Sequence, residues 1–237
     1  MFSEQARSFH RAAVEYDRGR PGWPPGVLDL LPLSNDATVL DLGAGTGKLA
    51  RVLADRYARV IAVEPLDELR AILEQRVPEA DVRAGVAEDI PVSLGEVDGV
   101  FAGQAFHWFA NDTAVREIAR VLRTGGVLAL LWNEPVDPSP LPPAYRARLE
   151  ELHDAMRPPP IDPDILQRSG FFGEETEISV EHEQVSTRDD ALALAASVSW
   201  IASRDDREQL LAELGELLPP GEYRFRMRAS MAWTIRR

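Results

Sequence analysis

Asp41-Leu42-Gly43-Ala44-Gly45-Thr46-Gly47 places three glycines directly after an apolar run and just before a helical pattern. Glycine accepts positive φ and carries no Cβ, so a ligand can approach the main chain here, and a helix starting beyond the turn offers unpaired N–H groups. The chemistry this suits is nucleotide binding. A dinucleotide fingerprint G-x-G-x-x-G would need its third glycine at position 48, which is Lys48; here it is Gly47. A second acid supports the turn. Arg59 to Val63 reads as a buried strand ending at Glu64, twenty-one positions after Gly43. In a β-α-β unit that interval brings the carboxylate to the carboxyl edge of the neighbouring strand, where it can accept from both hydroxyls of a ribose. His107 lies in Gln104-Ala105-Phe106-His107-Trp108-Phe109, just past a strand over 97–103. Its imidazole could take a proton from an oxygen or nitrogen nucleophile near neutral pH. The alternative is that the whole motif shapes the site, with His107 hydrogen-bonded and Trp108 packed.

The elements that must hold these residues alternate: strand 37–42, helix 47–57, strand 59–63, helix 66–77, a short strand at 81–84, strand 97–103, helix 112–122, strand 126–132. Such β-α-β repetition implies an α/β fold with a parallel sheet and helices on both faces. Thr124-Gly125-Gly126 is expected to cap the preceding helix. Ahead of the sheet, residues 4–17 have helical character and 26–31 form a second short helix, so 1–33 reads as an N-terminal helical cap. Past Trp132 prolines delimit an insert at 135–163, in which Tyr145, Leu149, Leu152 and Met156 recur on one helix face. That stripe is either packed core or a substrate wall. A second helical insert, 188–218, separates strands at 175–183 and 222–235, which complete a seven-stranded sheet; both inserts are expected to form a substrate lid on a single domain spanning 1–237. Arg224, Arg226 and Arg228 give the last strand one basic face, paired with acids or holding an anionic substrate.

Composition bounds the partners. The 237 residues are 45% hydrophobic, enough for one substantial core. A formal charge of −13 disfavours a nucleic-acid partner, whose binding depends on basic contacts to phosphates. With no cysteine, thiolate metal sites and a cysteine nucleophile are excluded, and the four histidines have no ligand spacing, so no metal is expected. No apolar run approaches a membrane span and nothing directs export, so the expected location is cytoplasmic.

Taken together, Tyr16 to Pro24, Asp41 to Gly47, Glu64-Pro65, Gly85-Val86-Ala87-Glu88-Asp89-Ile90-Pro91, Gln104 to Phe109 and Leu131-Trp132-Asn133-Glu134 resemble the class I S-adenosylmethionine-dependent methyltransferases, in the pattern of the small-molecule, trans-aconitate methyltransferase-like group. The resemblance extends over most of 12–133 and more loosely to the end. It implies a Rossmann-like, mostly parallel seven-stranded sheet with an antiparallel last strand. It also implies S-adenosylmethionine as cofactor, with S-adenosylhomocysteine as product.

By the same resemblance Asp41, Gly43, Ala44 and Gly45 meet the amino-acid end of the donor, Glu64 the ribose and Ala87 with Glu88 the adenine, while Gln104 contacts the methionine portion and Tyr16 folds over the donor. Many relatives carry aspartate where this chain has Val86, so the adenine contact leans on Glu88 or Asp89. His107, Trp108, Trp132 and Tyr145 are the candidate acceptor-site residues, for an unidentified small molecule. Two rival readings are an NAD(P)-dependent oxidoreductase, disfavoured by the Gly47 spacing, and a non-catalytic S-adenosylmethionine-binding module.

Overall fold

Strands buried on both faces read as near-continuous apolar runs, and Thr38–Leu42 (β1), Arg59–Val63 (β2) and Val97–Gly103 (β4) follow that rule apart from Asp41 within β1 and Asp98 within β4. The computed structural model describes residues 13–136, 138–154 and 162–237. The remaining strands are β3 (Asp81–Arg83), β5 (Leu122–Pro135), β6 (Thr176–Thr187) and β7 (Glu222–Ile235). They form one seven-stranded sheet in the order β3-β2-β1-β4-β5-β7-β6. The pairs β3/β2, β2/β1, β1/β4 and β4/β5 are parallel. β7 runs antiparallel to β5, as the bonds Gly125 N–H to Arg236 O and Val136 N–H to Arg226 O require. The helices are α1 (Ala13–Gly19), α2 (Lys48–Ala54), α3 (Asp67–Arg76), α4 (Asp112–Val121), α5 (Pro143–Asp154), α6 (Ile165–Ser169), α7 (Arg188–Ser197), α8 (Ser199–Ala202) and α9 (Arg207–Glu216).

The chain divides into two compact units. One comprises Gly22–Asn133, Ile161–Val180 and Arg228–Arg237. Alternate strand residues feed its two cores, because side chains leave a strand on opposite faces. Leu40, Leu42, Ile61, Val63, Val100, Leu128 and Leu130 pack with Val115 and Ile118 of α4 on one face. Val39, Val60, Ala62, Phe101, Ala129 and Leu131 pack with Leu49 and Leu53 of α2 and Leu73 of α3 on the other. β3 is a sheet edge of only three residues, where Arg59, Asp81, Arg83 and Glu96 form an ion-pair cluster, with Arg83 Nη2 2.6 Å from Asp81 Oδ2.

The other unit comprises Met1–Pro21, Glu134–Pro160 and Glu181–Met227. Its core is Tyr145, Leu152, Ala191, Ala195, Ile201, Leu210, Leu214 and Leu218. Thr187 and Asp190 cap α7 reciprocally, and the Arg188 guanidinium donates to Leu218 O (2.7 Å) and Gly215 O (2.8 Å), closing the C-terminal end of α9.

Two local expectations need correction. α4 ends on Leu122 in extended conformation, so Thr124-Gly125-Gly126 does not cap it. Those residues lie within β5 as an irregularity: between Val97 and Gly99 the β4 register advances from Leu122 to Val127, and Gly125 takes φ +78°. The expected helix over 26–31 is a single 3-10 turn, Pro25–Leu28. Of the expected helix over 4–17, residues 4–12 lie outside the described set, as does Met156 of the insert stripe.

Candidate donor site

β1 delivers a buried Leu42 to the glycine turn, in which Gly43, Gly45 and Gly47 take φ of +72°, +59° and +88° before α2 begins at Lys48. Gly43 needs its missing Cβ for space as well as for φ, since a Cβ there would sit 2.9 Å from Ala105 Cβ and 3.4 Å from Phe109 Cε1. The turn is therefore seated against the segment that follows β4. Its first N–H groups are spent within the protein. Gly43 and Ala44 both donate to Val63 O (2.9 and 3.1 Å), and Gly45 donates to Glu64 Oε2 (2.9 Å). The neighbouring strand β2 ends with a carbonyl and an acid at the level of the turn, and these consume the donors.

Two buried carboxylates face this turn. Asp41 is 1% exposed, and neither of its oxygens has a hydrogen-bond partner. Burial pushes its carboxyl up to about 7; the nearby Ala50 N–H pulls the other way, and the Glu64 charge adds to the rise. Glu64 is 4% exposed, and its Oε1 accepts from Leu66 N–H at 3.0 Å. Burial raises its carboxyl as well, against the pull of the Leu66 and Gly45 N–H groups and of Arg70. The Thr46 hydroxyl is also buried without a partner.

Gln104, at the carboxyl edge of β4, is the single non-glycine residue with positive φ (55°) among the described residues, a conformation costing about 1–2 kcal/mol. It is held there by its N–H to Leu131 O and its Nε2 to Asn133 O, both 2.8 Å. The next residues make a 3-10 turn, Phe106–Trp108, with the His107 and Trp108 ring centroids 4.8 Å apart. Trp108 and Trp132 are half-buried against the α4-side core. Ala87 is buried in that same core, while Glu88 is exposed and accepts from Asn111 Nδ2 at 2.8 Å.

One unit thus gathers Asp41, Gly43, Ala44, Gly45, Glu64, Ala87, Glu88, Gln104, His107, Trp108 and Trp132. Tyr145 belongs to the other unit, where it is 1% exposed in the helical core, donates to Ala191 O at 3.3 Å and has its hydroxyl pushed up to about 12 by burial. Core packing accounts for the Tyr145 side chain. Tyr16 lies in α1, with its side chain outside the described set. Arg224 and Arg226 pair with Glu183 and Glu181 (2.8 and 3.1 Å), the acid-paired alternative for that face.

Asn133 and Asn111 have no role of their own in the sequence reading. Asn133, buried, donates Nδ2 to Gly22 O at 2.8 Å, and the adjoining Trp23 covers Gly103, where a Cβ would lie 3.0 Å from its ring. Asn111 caps α4, and Asn-Asp-Thr ahead of an apolar-periodic run is a readable cap signal. Its bond to Glu88 had no local signal. Among the described residues no group of His, Asp or Glu could hold a metal ion, and no helix is long and apolar enough to cross a membrane.

An antiparallel β7 inserted between β5 and β6, with an acid-and-glycine turn after β1, defines the class I methyltransferase fold. Residues 40–130 match the family described as "Methyltransferase domain", and they form a domain of the class I S-adenosylmethionine-dependent methyltransferases. The chain is 44% identical over 130 residues to an uncharacterized methyltransferase of Mycobacterium tuberculosis, covering 55% of this chain and 54% of that protein. It is 37% identical over 112 residues to trans-aconitate 2-methyltransferase of Azoarcus sp., covering 44% and 42%. Malonyl-[acyl-carrier protein] O-methyltransferase of Geobacter sulfurreducens is 32% identical over 161 residues, covering 61% and 58%. The chain spans about half the length of the curated relatives it matches. The fold is shared with solved structures, among them the YcgJ protein of Bacillus subtilis (TM-score 0.59, 18% identity, 90% of this chain and 97% of that one). Geranyl diphosphate C-methyltransferase of Streptomyces coelicolor gives a TM-score of 0.52 at 15% identity, over 90% and 77%.

Proposed function

We propose that this protein transfers the methyl group of S-adenosylmethionine to a small-molecule acceptor. The observation that carries the reading is the pair of buried carboxylates, Asp41 and Glu64, at a glycine turn whose first three N–H groups are already bonded. A pyrophosphate would meet two acids there, and the N–H groups of Gly43, Ala44 and Gly45 are already spent on Val63 O and Glu64. A ligand with an ammonium group and two ribose hydroxyls offers the complement. Asp41, with two unbonded oxygens, suits the ammonium. Each Glu64 oxygen keeps a lone pair after accepting one N–H, enough for the two hydroxyls. In this reading Gly43, Ala44, Gly45 and Gln104 line the amino-acid portion, and Ala87 and Glu88 the base.

When bound, S-adenosylmethionine supplies a methyl group on a cationic sulfur, a leaving group that needs no protonation. The chain's own task is then alignment and exclusion of water. Trp108 and Trp132 shape the acceptor side, and Trp23, fastened through Gly22 to Asn133, covers the end of β4. His107 is the group available to take a proton from an acceptor that must lose one. One relative is named for trans-aconitate and another for a malonyl group on an acyl-carrier protein, which supports carboxylate-bearing compounds as the first acceptors to screen. A carboxylate acceptor needs no base.

Calorimetric titration with S-adenosylmethionine, S-adenosylhomocysteine, NAD and NADP tests the reading. Binding of the first two alone is the expected outcome. Binding of the nicotinamides alone would overturn it in favour of oxidoreductase chemistry, and donor binding without turnover on any acceptor would favour a non-catalytic module.

A further inference from the structure

The turn that carries Ala87 and Glu88 is fastened to α4 at several points. Val86 and Asp89 bridge across it, with Asp89 N–H to Val86 O at 3.2 Å. Just beyond, Ile90 N–H donates to Glu117 Oε2 (3.0 Å), and the Arg120 guanidinium donates to Ile90 O and Val92 O (both 2.8 Å). Asp89 lies within the field of Arg120 at this base, whereas Glu88 reaches the other way, to Asn111. The orientation of the Asn111 amide is dictated by its cap. Oδ1 accepts from Thr113 N–H (3.1 Å) and Ala114 N–H (3.0 Å), so a flipped amide would set NH2 against two donors. Its nitrogen is thereby committed to Glu88 Oε1 at 2.8 Å. Two residues before Asn111 stands Phe109, which packs beside Gly43 of the glycine turn. Val86 offers the turn no hydrogen-bonding side chain.

We propose that Asn111 is a positioning residue that makes Glu88 the acceptor for the exocyclic amine of adenine. The inference rests on the donor-site reading above. By occupying Oε1, Asn111 fixes the plane of the carboxylate and leaves Oε2 to accept from the base. A base with a carbonyl oxygen in place of that amine sets acceptor against acceptor and is rejected. Asn111 touches no base itself; it acts through Glu88.

The experiment compares S-adenosylhomocysteine with its deaminated counterpart, S-inosylhomocysteine, by calorimetry on the full chain. Wild type is expected to prefer the adenosyl compound by about tenfold, the worth of a charge-assisted hydrogen bond partly shared with solvent. In Asn111→Ser, where serine keeps the cap but cannot reach Glu88, the preference falls to about threefold or less with the melting temperature unchanged. Asn111→Asp, which also caps, gives a second folded variant with the same expected fall. Glu88→Gln, which can donate to a carbonyl, removes the preference. A folded N111S, N111D or E88Q protein with the wild-type ratio would overturn the inference, as would a wild type that binds both compounds equally. A wild type that binds neither would overturn the donor-site reading, and the inference with it.

Discussion

Replacing Asp41 with asparagine removes a buried charge at nearly constant shape, and its effect depends on pH. In the unfolded chain the Asp41 carboxyl ionises at its ordinary value of 3.8, but in the folded protein burial pushes it up to about 7. Between those values the folded state holds a proton that the unfolded chain has released. Stability therefore falls as pH rises through this window and levels off above the folded value. From pH 5 to 8 the folded carboxyl crosses about two units of proton affinity at about 1.36 kcal/mol each, a loss of about 2–3 kcal/mol. The asparagine amide cannot ionise, so the stability of D41N relative to wild type should rise by that amount over the same range. For a chain of this size the relative melting temperature shifts by about 4–10 °C. Scanning calorimetry of both proteins at pH 5, 6, 7 and 8 measures it. A difference that stays constant with pH would refute the reasoning, because the carboxyl would then not be held neutral by burial. The same group predicts proton release on binding: at pH 6, a cation beside Asp41 favours its ionised form, and titration heats should vary with buffer ionisation enthalpy by about one proton.

Glu64→Gln should weaken S-adenosylhomocysteine binding about tenfold by calorimetry, and unchanged affinity in a folded variant would take Glu64 away from the ribose. Gly43→Ala places a Cβ 2.9 Å from Ala105 Cβ at φ +72°, so thermal unfolding should show a loss of about 1–3 kcal/mol along with weakened donor binding. Tyr145→Phe removes the bond to Ala191 O in the helical core and should cost about 1 kcal/mol in urea unfolding; no loss would show that the hydroxyl is not spent on packing.

Much of the sheet is legible in the sequence because its central strands are parallel and buried on both faces. The expected bounds of β2 and β4 coincide with Arg59–Val63 and Val97–Gly103, where charged or turn residues end a mostly apolar run. β5 runs well past its expected 126–132, from Leu122 to Pro135. Its extension is set by antiparallel pairing with β7 about a hundred residues away, and no local pattern reports a partner at that distance. The Thr124-Gly125-Gly126 run shows the same limit: glycines suit a helix cap and a strand irregularity equally, and the register of β4 decides. At the site, the spacing of Asp41, the glycines and Glu64 was readable. The consumption of the turn's N–H groups by Val63 and Glu64 was not, because it depends on how far β2 extends alongside β1. Periodicity put Tyr145, Leu149 and Leu152 on one face, and all three pack in the helical core, but periodicity carries no information on what that face meets. The Asn133–Gly22 pair joins residues more than a hundred positions apart and leaves no trace in either neighbourhood.

The ion-paired edge at β3 governs how the sheet meets other chains. An unpaired strand from a misfolded neighbour grows a sheet by matching its backbone to a free edge, and length is what makes such a match persist. Here the incoming strand would find three residues, and docking would strip water from Arg59, Asp81, Arg83 and Glu96 together. The shortness and paired charges of that edge therefore work against strand addition there.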